Sequence, residues 1–169
     1  MITNFKIICL IILFCLVNAH SFAYEELPSV IHAKVIKVID GDTIHLKHKR
    51  YGKIKVRLAE IDTPEKDQPH GEEATITLKK MILNKFVKLN KVTIDRYERV
   101  VGIIYHNNLE INYFLVRNGL AWCYDKYNNR EKIKNAEEYA RSEKIGIWLD
   151  EKNAIAPWDW RKNKRKKNE

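Results

Sequence analysis

The chain has 169 residues, with 31 Lys and Arg against 22 Asp and Glu, for a formal net charge of +9. With 45% hydrophobic residues and only six Gly and four Pro, it is not collagen-like, mucin-like or wholly disordered. The length suits one domain with a real core rather than two large lobes around a cleft, and three cysteines are too few for a disulfide scaffold.

The first 23 residues form a class of their own, because seventeen are apolar. Lys6 precedes an unbroken apolar run of eleven residues, Ile7–Val17, and Ser21 and Ala23 then fit the small-residue pattern of a signal-peptidase site. The alternative is an uncleaved anchor, but a membrane span needs about 20 apolar residues. Residues 1–23 are therefore expected to be a signal peptide, cut after Ala23, with Ala19 the second choice. Cleavage removes Cys9, Cys15 and Lys6, leaving a net charge of +8 and Cys123 as the one thiol. In its Ala-Trp-Cys-Tyr setting, Cys123 reads as a small buried hydrophobe. An exported basic protein, periplasmic or extracellular, calls for an anionic partner: nucleic acid, lipid headgroups or polyanionic glycan.

Residues 24–160 then read as one domain. Val30–Ile39 is β-branched and partly alternating, the pattern of a strand. Asp40-Gly41-Asp42 signals a turn, and Thr43–Lys49 and Lys53–Ala59 alternate as two further strands of a meander. Thr63-Pro64 ends it. From Gly71 the period changes, with Ala74, Leu78, Met81 and Ile82 on one helical face. Phe86–Ile94 and Val100–His106 form a strand pair around Asp95-Arg96-Tyr97-Glu98. Short and longer helices follow over Asn112–Asn118 and Asn129–Glu143. Two strand blocks, three then two, split by a helix predict an α+β protein built on a five-stranded Greek-key barrel of the oligonucleotide/oligosaccharide-binding type, with about three helices. Arg161–Lys167 carries six cations in seven residues, so residues 161–169 are expected to be a basic disordered tail, either an electrostatic tether or a solvated end.

Two acidic clusters stand where apolar strands give way to turns: Asp40-Gly41-Asp42 and Ile61-Asp62-Thr63-Pro64-Glu65. Hard divalent cations take several oxygens, which turns can bring together. Each cluster alone is also an ordinary turn sequence. Arg57 runs into the second cluster, and Arg99 opens the strand after Asp95–Glu98. Carboxylates, a hard cation and guanidinium forks are the ingredients of phosphodiester hydrolysis, although either arginine alone also reads as a surface ion pair.

Val38-Ile39-Asp40-Gly41-Asp42-Thr43, Arg57-Leu58 leading to Ile61-Asp62-Thr63-Pro64-Glu65, Gly71-Glu72-Glu73-Ala74, Tyr97-x-Arg99 and Gly119-Leu120-Ala121 occur in that order. Together they resemble the staphylococcal nuclease (thermonuclease) family over about residues 30–149. Pro157-Trp158-Asp159-Trp160-Arg161 resembles a segment found after the domain in bacterial members. The resemblance implies a secreted, Ca²⁺-dependent endonuclease that cleaves DNA and RNA with low sequence specificity and leaves 3′-phosphate ends. It would act as a monomer, with no stable protein partner and no membrane attachment after leader cleavage. It implies Asp42, Asp62 and the Thr63 carbonyl as metal ligands, Asp40 behind them, and Glu65 orienting or deprotonating water. Arg57 and Arg99 would clamp the phosphate, and Arg96, Tyr97 and Tyr127 would line the nucleotide pocket.

The chain departs from the family pattern with Glu60, Glu98, Asp125 and a shorter, less basic Glu65–Gly71 loop. Glu98 is expected to compete with phosphate for Arg99. Arg57 and Asp62 differ by an odd number and would face opposite sides of a regular strand, so the strand must end or bulge before Asp62. The alternative function is the same barrel binding single-stranded nucleic acid without cutting it, using some of the eight Tyr and four Trp. A third reading is a cationic surface-interaction protein working through its tail. No His-Glu-x-x-His motif and no cysteine pair supports a zinc site.

Overall fold

A computed structural model describes residues 27–124 and 130–167. The expected leader, Asp125 and Tyr127 lie outside the described residues. Strands β1 (Val30–Val38), β2 (Thr43–His48) and β3 (Gly52–Leu58) form the antiparallel meander, each with alternate residues buried. β4 is the two-residue strand Ile61–Asp62, and α1 spans Gly71–Ile82. β5 (Phe86–Ile94) pairs with β1 and with β6 (Val100–His106), both antiparallel. β6 then pairs parallel with β3, setting Arg57 opposite Val101, and closes a five-stranded barrel.

The barrel interior follows from the alternation. Ile31, Ala33, Val35, Ile44, Leu46, Ile54, Val56, Leu89 and Ile104 all point inward and are almost wholly buried. Ala74, Leu78 and Ile82, one face of α1, join the same core. β7 (Leu109–Glu110) adds to β6 and leads into α2 (Ile111–Arg117). β8 (Trp122–Cys123) pairs with β4, so that Asp62 stands opposite Trp122. Cys123 is buried, as its apolar setting predicts. α3 (Glu131–Ser142) packs Ile133, Ala136 and Ala140 inward, and a 3₁₀ segment follows over Gly146–Asn153.

The basic end departs from expectation. Helix α4 runs Pro157–Lys167, through the stretch expected to be disordered, and makes a fourth α-helix among the described residues. Its first turn has apolar surface to bury. Pro157 is buried, and the Trp158 ring lies 5.7 Å from Trp122 and 5.5 Å from Tyr124, centroid to centroid. Proline suits the first helical position. The cations of its last turn, Lys164–Lys167, sit at the favourable end of the helix dipole. Two of the helix's cations also find carboxylates on β4 and the loop after it, with Lys164 2.6 Å from Asp67 and Arg161 reaching Asp62 and Glu65.

Candidate active site

The Asp40-Gly41-Asp42 turn joins β1 to β2 and packs on the segment after β4. Gly41 is required for that approach, since a Cβ there would stand 2.7 Å from Thr63 Oγ1 and 3.0 Å from Ala74 Cβ. Asp42 is thereby fixed. Its Oδ2 accepts from the Thr63 N–H at 3.1 Å and the Thr63 hydroxyl at 3.0 Å, and its Oδ1 accepts from the Thr43 hydroxyl at 3.0 Å. Asp40 accepts from the Asp42 N–H at 3.1 Å and so holds the turn from behind. Burial, and then the charge of Asp42, raise the Asp40 carboxyl to about 6.

Arg57 points outward from β3, whose last residue is Leu58. Glu60 turns the chain with φ 67°, and β4 starts afresh at Ile61. The odd spacing from Arg57 to Asp62 is resolved by this early strand end. Arg57 Nη2 lies 2.8 Å from Asp62 Oδ1 and 3.2 Å from Asp42 Oδ2, so both carboxylates converge on one nitrogen. Arg57 Nη1 donates to the Leu58 carbonyl at 2.7 Å, which locks the fork in place. Burial raises the Asp62 carboxyl above its ordinary value, with Asp42 adding to the rise and Arg161 and Arg57 opposing it.

Glu65 lies on the loop before α1. Its backbone N–H donates to the Gln68 side chain at 3.1 Å, and the Gln68 amide donates to the Ile155 carbonyl at 2.5 Å. Its carboxylate accepts from Arg161 Nη1 at 2.7 Å, while Arg161 Nη2 donates to Asp62 Oδ2 at 2.7 Å. One guanidinium thus bridges Asp62 and Glu65. Sequence reasoning missed Arg161 and Gln68. Trp158 and Trp160, apolar anchors beside the basic run, were the signal that this segment docks.

Arg99 sits two residues before Val101, the strand position paired with Arg57. Among the described residues no ion pair joins it to Asp42, Asp62 or Glu65. Asp95 holds it instead, accepting from Arg99 Nε at 2.8 Å and lying 2.7 Å from Nη2. This corrects the expectation for Glu98, which is at φ 60° in the turn and is not the carboxylate on Arg99. Burial would raise the Asp95 carboxyl, but hydrogen bonds from Arg99 and Tyr97 hold it below its ordinary value. Arg96 donates to the Tyr97 hydroxyl at 2.8 Å, and the Arg96 and Arg99 guanidinium carbons lie 4.9 and 5.5 Å from the Tyr97 ring centroid. Glu60 has no ion pair with Arg57, Arg99 or Arg161 among the described residues. It pairs with Arg130, which also binds Glu110 at 2.8 Å.

The donors fit a hard cation in kind. The Asp42 and Asp62 carboxylates and the Thr63 carbonyl are all oxygen donors. No group of three or more carboxylate, imidazole or thiol side chains among the described residues converges as a ready-made cage. The site therefore offers two converging carboxylates, now paired with Arg57 and, at Asp62, with Arg161.

A family model described as staphylococcal nuclease homologue matches residues 55–150. An uncharacterized endonuclease of Escherichia coli is 36% identical over 144 residues, covering 85% of this chain and 93% of that protein. An uncharacterized endonuclease of Haemophilus influenzae is 39% identical over 132 residues, covering 78% and 74%. Micrococcal nuclease of Shigella flexneri is 34% identical over 140 residues, covering 76% and 79%. These similarities define a nuclease of the oligonucleotide-binding-barrel class. The chain belongs to the staphylococcal nuclease family.

Proposed function

We propose that this chain is an exported, Ca²⁺-dependent endonuclease that hydrolyses DNA and RNA with little sequence preference and leaves 3′-phosphate ends. The observation that carries the reading is the convergence of Asp42 and Asp62 on Arg57 Nη2, at 3.2 and 2.8 Å, with Glu65 tied to the same Asp62 through Arg161. A pure binding barrel has no use for a set of carboxylates where phosphate must enter.

The roles follow from the side chains. Asp42, Asp62 and the Thr63 carbonyl would hold the cation, which when bound supplies positive charge to the phosphoryl oxygens. Glu65 is the carboxylate left to orient a water or take its proton. Arg57 would exchange its carboxylate partners for phosphate oxygens, and its planar fork suits two of them at once. Arg99, pre-set by Asp95, would bind the same group from the β5–β6 turn. Arg96 and Tyr97 on that turn would meet the nucleotide, and Tyr127 is proposed as their partner from the sequence alone. Export rests on the apolar run and small residues of the first 23 positions.

The test is the purified mature chain with long DNA and RNA, in Ca²⁺, in Mg²⁺ and in excess chelator, with analysis of the product ends. Cleavage of both polymers in Ca²⁺, giving 3′-phosphates, is expected. Binding without cleavage under every condition would favour the non-catalytic barrel.

A further inference from the structure

The outer face of the meander has an unusual charge pattern. β1, β2, β3 and β5 together contain no Asp or Glu. The strand register lines their outward residues into rows. Lys34 pairs with Lys47, and Lys47 with Lys53. One step toward the site, Lys37 pairs with His45, and His45 with Lys55. Lys34 and Lys37 differ by three and would face opposite sides of a regular strand. A bulge between Val35 and Lys37 turns both outward, and Ile36 and Lys37 are consecutive exposed residues.

All five lysines are exposed, and none has a carboxylate within the 4.0 Å of an ion pair among the described residues. His45 registers the same field. Burial, then the charges of Lys53, Lys37 and Lys55, hold its imidazole below the ordinary value. Like charges opposite one another across strands destabilise a sheet. Among the described residues no carboxylate pairs with these lysines to offset that repulsion, so an external anion is the natural counterpart.

The rows lead into the catalytic centre. On β3 the outward positions are 53, 55 and 57, so Lys53, Lys55 and Arg57 stand in line at about 6.8 Å per step. The outer row also ends in an aromatic, because Lys34 pairs with Phe86, whose side chain is 70% exposed. A line of cations ending in an exposed ring suits a single polynucleotide strand, which offers regularly spaced phosphates and bases able to stack. Val30 and Ile36 are also exposed on β1, so apolar side chains alone do not separate this from an anionic lipid surface, but such a surface would gain nothing from the alignment with Arg57.

We propose that the outer face of the β1–β2–β3 meander is a polynucleotide track, in which Lys34, Lys37, Lys47, Lys53 and Lys55 bind the phosphates of a single strand leaving the site at Arg57, and Phe86 stacks on one of its bases. The proposal rests on the nuclease reading for the polarity of the track, but its test does not require cleavage.

The probe is a labelled 30-nucleotide single-stranded DNA, bound in excess chelator over a salt series. It is compared between the wild type and the variant Lys34→Gln, Lys47→Gln, Lys53→Gln and Lys55→Gln combined. With about 0.7 units of log–log salt slope per neutralised phosphate on single strands, the slope should flatten by ~2–3 units. The combined variant should melt no lower than wild type, because its strands repel less. Phe86→Ala should weaken binding of the single strand by about tenfold and leave the salt slope unchanged. A dinucleotide, whose single bridging phosphate is held at Arg57, should bind both proteins with nearly the same slope. An unchanged slope on the 30-mer would overturn the proposal even if the enzyme cuts in Ca²⁺. A flattened slope in a protein that never cuts would keep the track and remove the nuclease reading. If the lysine variant lost binding only to vesicles of equal phosphatidylglycerol and phosphatidylcholine, the face would belong to a membrane and the track would be wrong.

Discussion

Arg161 and Glu65 are 96 positions apart in sequence, yet one guanidinium nitrogen donates to the Glu65 carboxylate at 2.7 Å. The same guanidinium reaches Asp62, and Gln68 and Lys164 stitch the neighbouring loop to the C-terminal segment. Helix α4 is therefore part of the site wall rather than an appendage. This shifts interest in the basic end from its net charge to one residue.

Removing Arg161 leaves Asp62 and Glu65 with less compensation, because among the described residues Arg57 is then the one cation paired with the two aspartates. Arg161→Gln should lower stability in chelator by ~1 kcal/mol, a modest figure because the arginine is 41% exposed. Added Ca²⁺ should raise the melting temperature of the variant more than that of wild type. Thermal melts with and without Ca²⁺ measure both effects. Equal melting in chelator would mean that the Arg161 contact contributes nothing.

The β5–β6 turn gives a second prediction, in which Asp95 rather than Glu98 governs Arg99. Asp95→Ala should lower kcat by tenfold or more, because Arg99 loses its orientation. Glu98→Gln should leave kcat nearly unchanged at any salt. Glu98→Gly should stabilise the fold by up to ~1 kcal/mol, since φ 60° penalises a side chain. Steady-state kinetics and urea titrations test the set. A large kcat change in Glu98→Gln with none in Asp95→Ala would reverse the assignment.

Glu110 supplies a pH prediction away from the chemistry. It is 5% exposed, and burial alone would raise its carboxyl, but hydrogen bonds from Arg130 and Lys132 hold it below the ordinary value of 4.5. A lowered native value means that the stabilisation is present above the ordinary value and is lost as pH falls through the native one. Glu110→Gln should cost about 3 kcal/mol at pH 7, as for a broken buried pair. The gap from wild type should narrow steadily below pH 4.5. Denaturant titrations at several pH values would show it, and a gap independent of pH would deny the ion-pair account.

The strands were legible because their alternation is regular. Phe86–Ile94 and Val100–His106 carry their ends in the pattern itself. The Arg57–Asp62 relation was legible as a constraint, since parity demands a break and Glu60 supplies it with a positive φ. Arg161 was not legible. Its partners are 96 and 99 positions away, and no local period encodes a contact of that range. A run of cations reads as disorder until the aromatic anchor before it is weighed, and Trp158 against Trp122 and Tyr124 is that anchor. Glu98 was misread because sequence adjacency to Arg99 says little in a turn, where Asp95 reaches across to the same guanidinium.

The central claim is that Asp42 and Asp62 form a cation site that drives phosphodiester cleavage. Its most direct test is cleavage of long DNA by wild type, Asp42→Asn and Asp62→Asn across a Ca²⁺ titration, with Ca²⁺ binding followed separately by calorimetry. Either substitution removes one of the few charged ligands from a hard-cation site. Wild type should cut in Ca²⁺ and stop in excess chelator. Each variant should bind Ca²⁺ at least tenfold more weakly and cut at least a hundredfold more slowly at a Ca²⁺ concentration saturating for wild type. Undiminished cutting in chelator, or full activity and Ca²⁺ affinity in both variants, would contradict the account.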